Sequence, residues 1–187
     1  MFNLAADNIR QWLDYGLYEG GGALEDAYSL LALREGSSAM VALSRRGEDV
    51  LEHPNYQAYI RHVAHSLEPA LDGDYVGHSS GGTLNYPGFW AVARSAWPDD
   101  PVVGYLWRYY NGDDHTRNRR WQNYIVMQLF GFEGYRVDDW AETGLSRSWC
   151  DPRRGLLITR SDDTEEALYS TSTPGPTPSS SATTTPT

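Results

Sequence analysis

The stretch EHPNYQAYIRHVAHSLEP, residues 52–69, decides how the rest of this chain is interpreted. Pro54 stands where the first turn of a helix tolerates proline, and Pro69 stops the segment. Between the two prolines, apolar residues recur at helical spacing: Tyr56, Ile60, Val63 and Leu67. The stretch therefore predicts an amphipathic helix with one buried face.

Helical patterns continue on both sides of this stretch. The first residues predict a helix with Leu4, Ile9, Trp12 and Leu13 roughly on one face. Further helical stretches, separated by turn signals, are predicted at residues 23–46 (one long helix or two short ones around Gly36), 87–97, 101–111 and 116–130. Helices in succession with short connections predict a mainly α fold, an α/α array over residues 1–150.

The pattern changes at Gly155. GLLITR and EALYS are strand-like runs separated by the polar turn SDDTE, so residues 151–170 predict a short antiparallel β segment. Because two strands are marginal alone, we expect either that helices cover them or that further strands complete the sheet. Residues 171–187 are rich in Ser, Thr and Pro and predict a disordered tail.

Charge and cysteine content narrow the functional classes. The net charge of −10 argues against a nucleic acid or an anionic membrane surface as the main partner. Cys150 is the single cysteine, which excludes an intrachain disulfide framework and a thiolate metal cluster. The sequence displays neither a signal peptide nor a membrane span, and it implies no cofactor.

A glycine-rich segment, residues 72–90, contains the letters of a nucleophile elbow. Gly77, Ser79 and Gly81 fit the G-x-S-x-G pattern, but an elbow needs a strand before the serine and a helix directly after it. Here the preceding region is helical and the next helix is predicted only from Pro87, so a hydrolase nucleophile at Ser79 is disfavoured. The segment is interpreted as a flexible connection or as a functional loop that contains His78, Asn85 and Tyr86.

A second glycine run lies in DYGLYEGGGALEDAYSLLAL, residues 14–33. Gly20, Gly21 and Gly22 permit close approach of the backbone to a ligand, with Glu19 before the run and Tyr28 in the helix after it. Tyr28 also fits a core position. His62 and His65 are spaced so that they could share a metal ion, but no third ligand accompanies them, and solvated or packed histidines are the favoured interpretation.

The order of these features resembles the heparinase II/III-like polysaccharide lyase group. The similar stretches are residues 14–33, residues 51–69, the loop DGDYVGHSSGG, and the segment AETGLSRSWCDPRRGLLITRSDDTEEALYS. The resemblance implies an incomplete (α/α) toroid followed by the start of an antiparallel β-sandwich. It also implies a fragment that is inactive alone and that belongs in an extracellular or periplasmic setting.

Such lyases cleave uronic-acid polysaccharides by β-elimination, so the resemblance implies an acidic polysaccharide or oligosaccharide as the partner. It assigns catalytic roles to Tyr28 and His78. The substrate-binding positions that it suggests are Glu19, Asn85, Tyr86 and Arg94. No metal site is expected.

Two other classes remain open. A glycoside hydrolase on an α/α toroid would use two carboxylates, with Glu19, Asp26 and Asp74 as candidates. A noncatalytic carbohydrate-binding module would use exposed aromatic side chains as stacking platforms. The candidates for that role are Trp90, Tyr105, Trp107, Tyr109 and Tyr110.

Overall fold

The chain is mainly helical, with a small antiparallel sheet near its carboxyl end. The computed structural model describes residues 2–24, 26–67, 69, 87–111, 137, 139–153, 155–164 and 166–172. Its helices are α1 (Phe2–Tyr15), α2 (Asp26–Ser44), α3 (Pro54–His65), α4 (Pro87–Ala96) and α5 (Pro101–Asn111). A short 3-10 helix (Trp140–Thr143) follows, and then the strands β1 (Ser148–Asp151), β2 (Leu156–Arg160) and β3 (Tyr169–Ser172).

Helix α3 forms within the stretch that predicts a helix. His53 caps it by accepting a hydrogen bond from the Asn55 backbone N–H at 3.3 Å, and Pro54 occupies the first turn. The predicted apolar stripe is buried, and Tyr59 adds to it. Because this helix packs against α1, α5 and β1, it joins the helical layer to the sheet.

Helix α1 is tied to α3 at its carboxyl end. The Asn55 side-chain amide donates to the backbone carbonyls of Leu13 and Leu17, at 3.1 and 3.4 Å. Leu13 is buried, but Leu4 is 64% exposed, so the prediction that both lie on one buried face was wrong for Leu4. Among the described side chains of α1, Ala6 and Leu13 are buried in the core.

The other helices agree with the predicted ranges within a few residues. Helix α2 runs unbroken through Gly36, which favours one long helix over two short ones. Helix α4 packs on α2 and α5, and the core combines residues of all five helices with Val137 and Trp140. The helix predicted at residues 116–130 lies outside the described residues.

The sheet has the order β1-β2-β3 with antiparallel pairing throughout. In the register of the sheet, Leu157 of β2 is paired with Cys150 of β1 and with Ser172 of β3. The predicted run GLLITR corresponds to β2, whereas EALYS overlaps β3 only at Tyr169 and Ser170. Strand β3 continues to Ser172, into the range predicted as a disordered tail. Strand β1 was not predicted, and it begins at Ser148, within the range that the sequence assigns to helices.

The helices cover part of this sheet. The Trp149 ring of β1 lies 4.4 Å from the His62 ring and 6.2 Å from the His65 ring, measured between centroids. The Tyr169 hydroxyl of β3 donates to the His65 carbonyl at 3.0 Å. We call the contact formed by His62, His65, Trp140, Trp149 and Arg160 the helix–sheet seam.

None of the helices within the described ranges is long and apolar enough to cross a membrane.

Candidate functional site

A cleft opens between α1 and the start of α2, with a volume of about 580 Å³. We call it the α1–α2 cleft. The described residues that line it are uncharged and include aromatic, amide and hydroxyl side chains: Asn8, Gln11, Trp12, Tyr15, Gly16, Leu24, Ser29 and Ala32. Its size falls in the range of small-molecule binding pockets.

The outer face of α1 forms one wall of this cleft. Asn8, Gln11 and Tyr15 follow one another at intervals of three and four residues, so they share one helix face. Tyr15 is 77% exposed, and both amide side chains are also exposed. These side chains have polar groups available to a ligand, while Leu13 anchors the opposite face in the core.

Trp12 is half-buried and extends from the cleft towards the core. Its neighbour along the lining is Gly16, whose backbone N–H donates to the Trp12 carbonyl at 2.8 Å. A methyl group on Gly16 would lie 2.9 Å from the Trp12 indole nitrogen, so a larger residue would displace the ring. The glycine therefore lets the indole lie against the backbone at the end of α1.

The connection from α1 to α2 fixes the other wall. Leu17 and Ala23 form an isolated antiparallel bridge, and the Leu24 N–H donates to the Gly16 carbonyl at 2.9 Å. These bonds hold Leu24 at the cleft, where its side chain is exposed.

The glycine run Gly20–Gly22 approaches protein rather than a ligand. Gly21 has φ of +89°, and a methyl group there would meet the Ala58 carbonyl oxygen of α3 at 2.5 Å. A methyl group on Gly22 would overlap the carboxylate of buried Asp151, at the end of β1. The close approach anticipated for a ligand is thus made to α3 and to the sheet.

None of the predicted site residues is among the described residues that line the α1–α2 cleft. Glu19 is exposed in the turn of the glycine run. Tyr28 lies in α2 beside Ser29, and its side chain is outside the described part of the structure. His78, Asn85 and Tyr86, together with the whole Gly77–Gly81 elbow pattern, also lie outside the described residues.

Arg94 is in a buried position. It is 7% exposed, and its guanidinium carbon lies 5.4 Å from the centroid of the Trp107 ring. Burial lowers the pKa of the Arg94 guanidinium. The side chain packs inside the helical array and does not line the α1–α2 cleft.

The aromatic residues proposed as stacking platforms are packing residues where they are described. Tyr105 and Trp107 are buried, and the Tyr105 ring meets Trp140 edge-on at 5.6 Å. Neither ring face is available to a sugar. The side chains of Trp90, Tyr109 and Tyr110 are outside the described part, as are the candidate carboxylates of Asp26 and Asp74.

His62 and His65 are packed, which agrees with the favoured interpretation. Both are buried against Trp149. Burial and the neighbouring Arg160 charge lower the pKa of His65 to about 4. No group of three or more His, Cys, Asp or Glu residues suited to a metal ion occurs among the residues that the structure describes.

Sequence reasoning missed Asn8, Gln11 and Tyr15. The signal was present, because these residues and Leu4 follow one another at intervals of four, three and four along α1. Trp12 was assigned to the buried face, whereas its position at the edge of that face makes it half-buried. Comparison of the chain with family models, curated proteins and solved structures gave no match.

Proposed function

We propose that the α1–α2 cleft binds a carbohydrate chain. The observation that carries this proposal is the lining itself, in which the aromatic rings of Trp12 and Tyr15 stand beside the amides of Asn8 and Gln11. A sugar ring presents an apolar C–H face and a rim of hydroxyl groups. Aromatic faces accommodate the first, and side-chain amides donate to and accept from the second.

The charge of the cleft favours a neutral oligosaccharide. The described residues that line it are uncharged, and the whole chain has a net charge of −10. A uronate polymer would approach a protein of like charge, and the described lining contributes no cation to neutralise its carboxylates. The acidic polysaccharide expected from the resemblance is therefore the less favoured partner for this cleft.

Isothermal titration calorimetry with a panel of neutral and uronate oligosaccharides tests the proposal. Trp12→Ala should weaken binding of the neutral ligand at least about tenfold, which corresponds to about 1.4 kcal/mol. Trp97→Ala is the matched control, because Trp97 is also half-buried against the core and does not line the cleft. Lack of heat with every neutral oligosaccharide, or equal weakening by both variants, would contradict the proposal.

A lyase within an incomplete (α/α) toroid is the second candidate. The observation that favours it is the position of Tyr28 in the first turns of α2, next to Ser29 of the cleft wall. In this account His78 removes the C5 proton of a uronate chain, the C4–O bond breaks as the C4–C5 double bond forms, and the Tyr28 hydroxyl gives its proton to the leaving oxygen. Incubation with mixed polyuronates would then produce the absorbance of unsaturated uronate, and Tyr28→Phe would abolish it.

A further inference from the structure

Arg160 ends strand β2 with its charge inside the helix–sheet seam. The residue is 8% exposed, and its guanidinium carbon lies 3.9 Å from the centroid of the Trp140 ring. Stacking on an indole stabilises a cation, but it leaves the in-plane N–H groups of the guanidinium without acceptors. The position of Arg160 therefore raises the question of what accepts its hydrogen bonds.

Two buried donors at this stack lack acceptors among the described residues. Nη1 of Arg160 and Nε1 of Trp140 are both closed off from solvent, and neither has a hydrogen-bond partner within the described ranges. A buried donor without an acceptor costs free energy, and a buried cation costs more. The two donors belong to one stacked pair of side chains, because the guanidinium carbon lies 3.9 Å from the Trp140 ring centroid.

The carboxylate that interacts with Arg160 is already bound by another arginine. Asp163 interacts with Arg160 electrostatically, but its carboxylate accepts hydrogen bonds from Nε and Nη2 of Arg147, at 2.9 and 2.7 Å. His65 is buried beside the stack, and the Arg160 charge contributes to lowering the pKa of its ring. Within the described part of the chain, no carboxylate lies at salt-bridge distance from Arg160.

We propose that Arg160 and Trp140 form a binding site for a small carboxylate anion at the helix–sheet seam. One carboxylate oxygen accepts from Arg160 Nη1 and the other from Trp140 Nε1, so both buried donors gain acceptors. The bound anion joins β2 to the 3-10 helix and neutralises the charge of Arg160. The site is independent of the α1–α2 cleft and of the carbohydrate proposed to bind there.

Nuclear magnetic resonance of the indole N–H groups tests this site in the full chain. Acetate is the probe, titrated at constant ionic strength against chloride, and Trp140→Phe assigns the Trp140 signal by its loss. We expect the Trp140 indole signal to move along a saturable curve in the millimolar range. Arg160→Gln should abolish the movement, whereas Arg153→Gln, which removes an exposed cation of the β1–β2 turn that lies over the Tyr18 ring, should preserve it.

The outcomes separate the proposal from its alternatives. A Trp140 signal that does not respond to acetate overturns it, because the donors then have an acceptor within the chain itself or remain unpaired. A response that chloride reproduces, or that persists in folded Arg160→Gln, reports ionic strength and also overturns it. If Arg160→Gln does not fold, Arg160→Lys is used. A response to acetate as tight as that of the native chain then overturns the proposed geometry, because an ammonium group does not reproduce a planar guanidinium that stacks on Trp140 with a donor at Nη1.

Discussion

The α1–α2 cleft and the helix–sheet seam both collect aromatic side chains, yet their surroundings differ. In the cleft Tyr15 is exposed beside uncharged amides. In the seam Trp149 and Trp140 contact histidine and arginine side chains that are themselves buried. Aromatic residues therefore mark a binding surface only where their faces and the polar groups beside them reach solvent.

The glycines of the α1–α2 connection show the same contrast. Gly16 lies in the lining of the cleft, whereas Gly21 packs against α3.

The largest expected effect comes from a substitution that disrupts the packing of the glycine run against α3. Gly21→Ala combines a left-handed backbone with a methyl group 2.5 Å from the Ala58 carbonyl oxygen. We expect it to lower the free energy of unfolding by about 3 to 4 kcal/mol, measured by urea denaturation.

Gly47→Ala is the matched control for that variant. Gly47 has nearly the same φ, +86°, but nothing lies within 4 Å of the added methyl group. The control should cost about 1 kcal/mol, from backbone strain alone. Equal losses in the two variants would show that the close approach of Gly21 to α3 contributes nothing.

The second expected effect is a pH dependence of the free energy of unfolding that arises from His65 in the helix–sheet seam. The pKa of His65 is about 4 in the folded chain and 6.5 in the unfolded chain, so the unfolded chain binds the additional proton between these values. Stability contributed by neutral His65 is present above pH 6.5 and is lost as the pH falls towards 4. The expected loss is about 2 to 3 kcal/mol.

Comparison with His65→Gln isolates this contribution from that of the carboxylates. The free energy of unfolding is measured at several pH values from 7 to 4 for both proteins. The native chain should lose more stability across the window than the variant does. Parallel curves for the two proteins would mean that His65 is not held neutral by the seam.

The third effect concerns the cleft alone. Tyr15→Ala should weaken binding of a neutral oligosaccharide about tenfold, with unfolding free energy nearly unchanged because the side chain is exposed. Leu168→Ala is the control, since Leu168 is 80% exposed and lies between β2 and β3. Calorimetry that gives the same dissociation constant for both variants would remove Tyr15 from the site.

The smallest expected effect comes from substitution of a glycine that lies outside both the α1–α2 cleft and the helix–sheet seam. Gly36 lies within α2, and a methyl group there would meet nothing within 4 Å. Gly36→Ala should raise the free energy of unfolding by about 0.5 to 1 kcal/mol, because alanine favours the helix more than glycine does. A loss of stability on thermal or urea unfolding would indicate packing against α2 that the described residues do not include.

The sequence predicts the helices well because their signals are local. Pro54, the stripe from Tyr56 to Leu67 and the proline at position 101 lie within the elements that they define. Strand β1 has only four residues, and it is defined by its pairing with β2 across a turn. No local sequence pattern therefore predicts it. The contact of Gly22 with Asp151 joins residues more than a hundred positions apart, and periodicity contains no information about such a contact.

The candidate site was harder to predict for a related reason. Glycine runs, histidines and arginines attract functional interpretation by residue type, but Gly21, His62 and Arg94 are used in packing. The described residues that line the cleft are not of types that by themselves suggest a functional site. They line it because the core does not cover their face of α1. That depends on how α3 and α2 pack on α1, which is a tertiary property.

The most direct test of the carbohydrate proposal follows all tryptophan indole N–H signals of the full chain during titration with a neutral oligosaccharide. Single Trp→Phe variants assign the signals of Trp12 and Trp140. If the α1–α2 cleft is the binding site, the Trp12 signal moves and saturates while the Trp140 signal in the seam stays fixed. Movement of the Trp140 signal with an unchanged Trp12 signal, or no movement of either, would contradict the account.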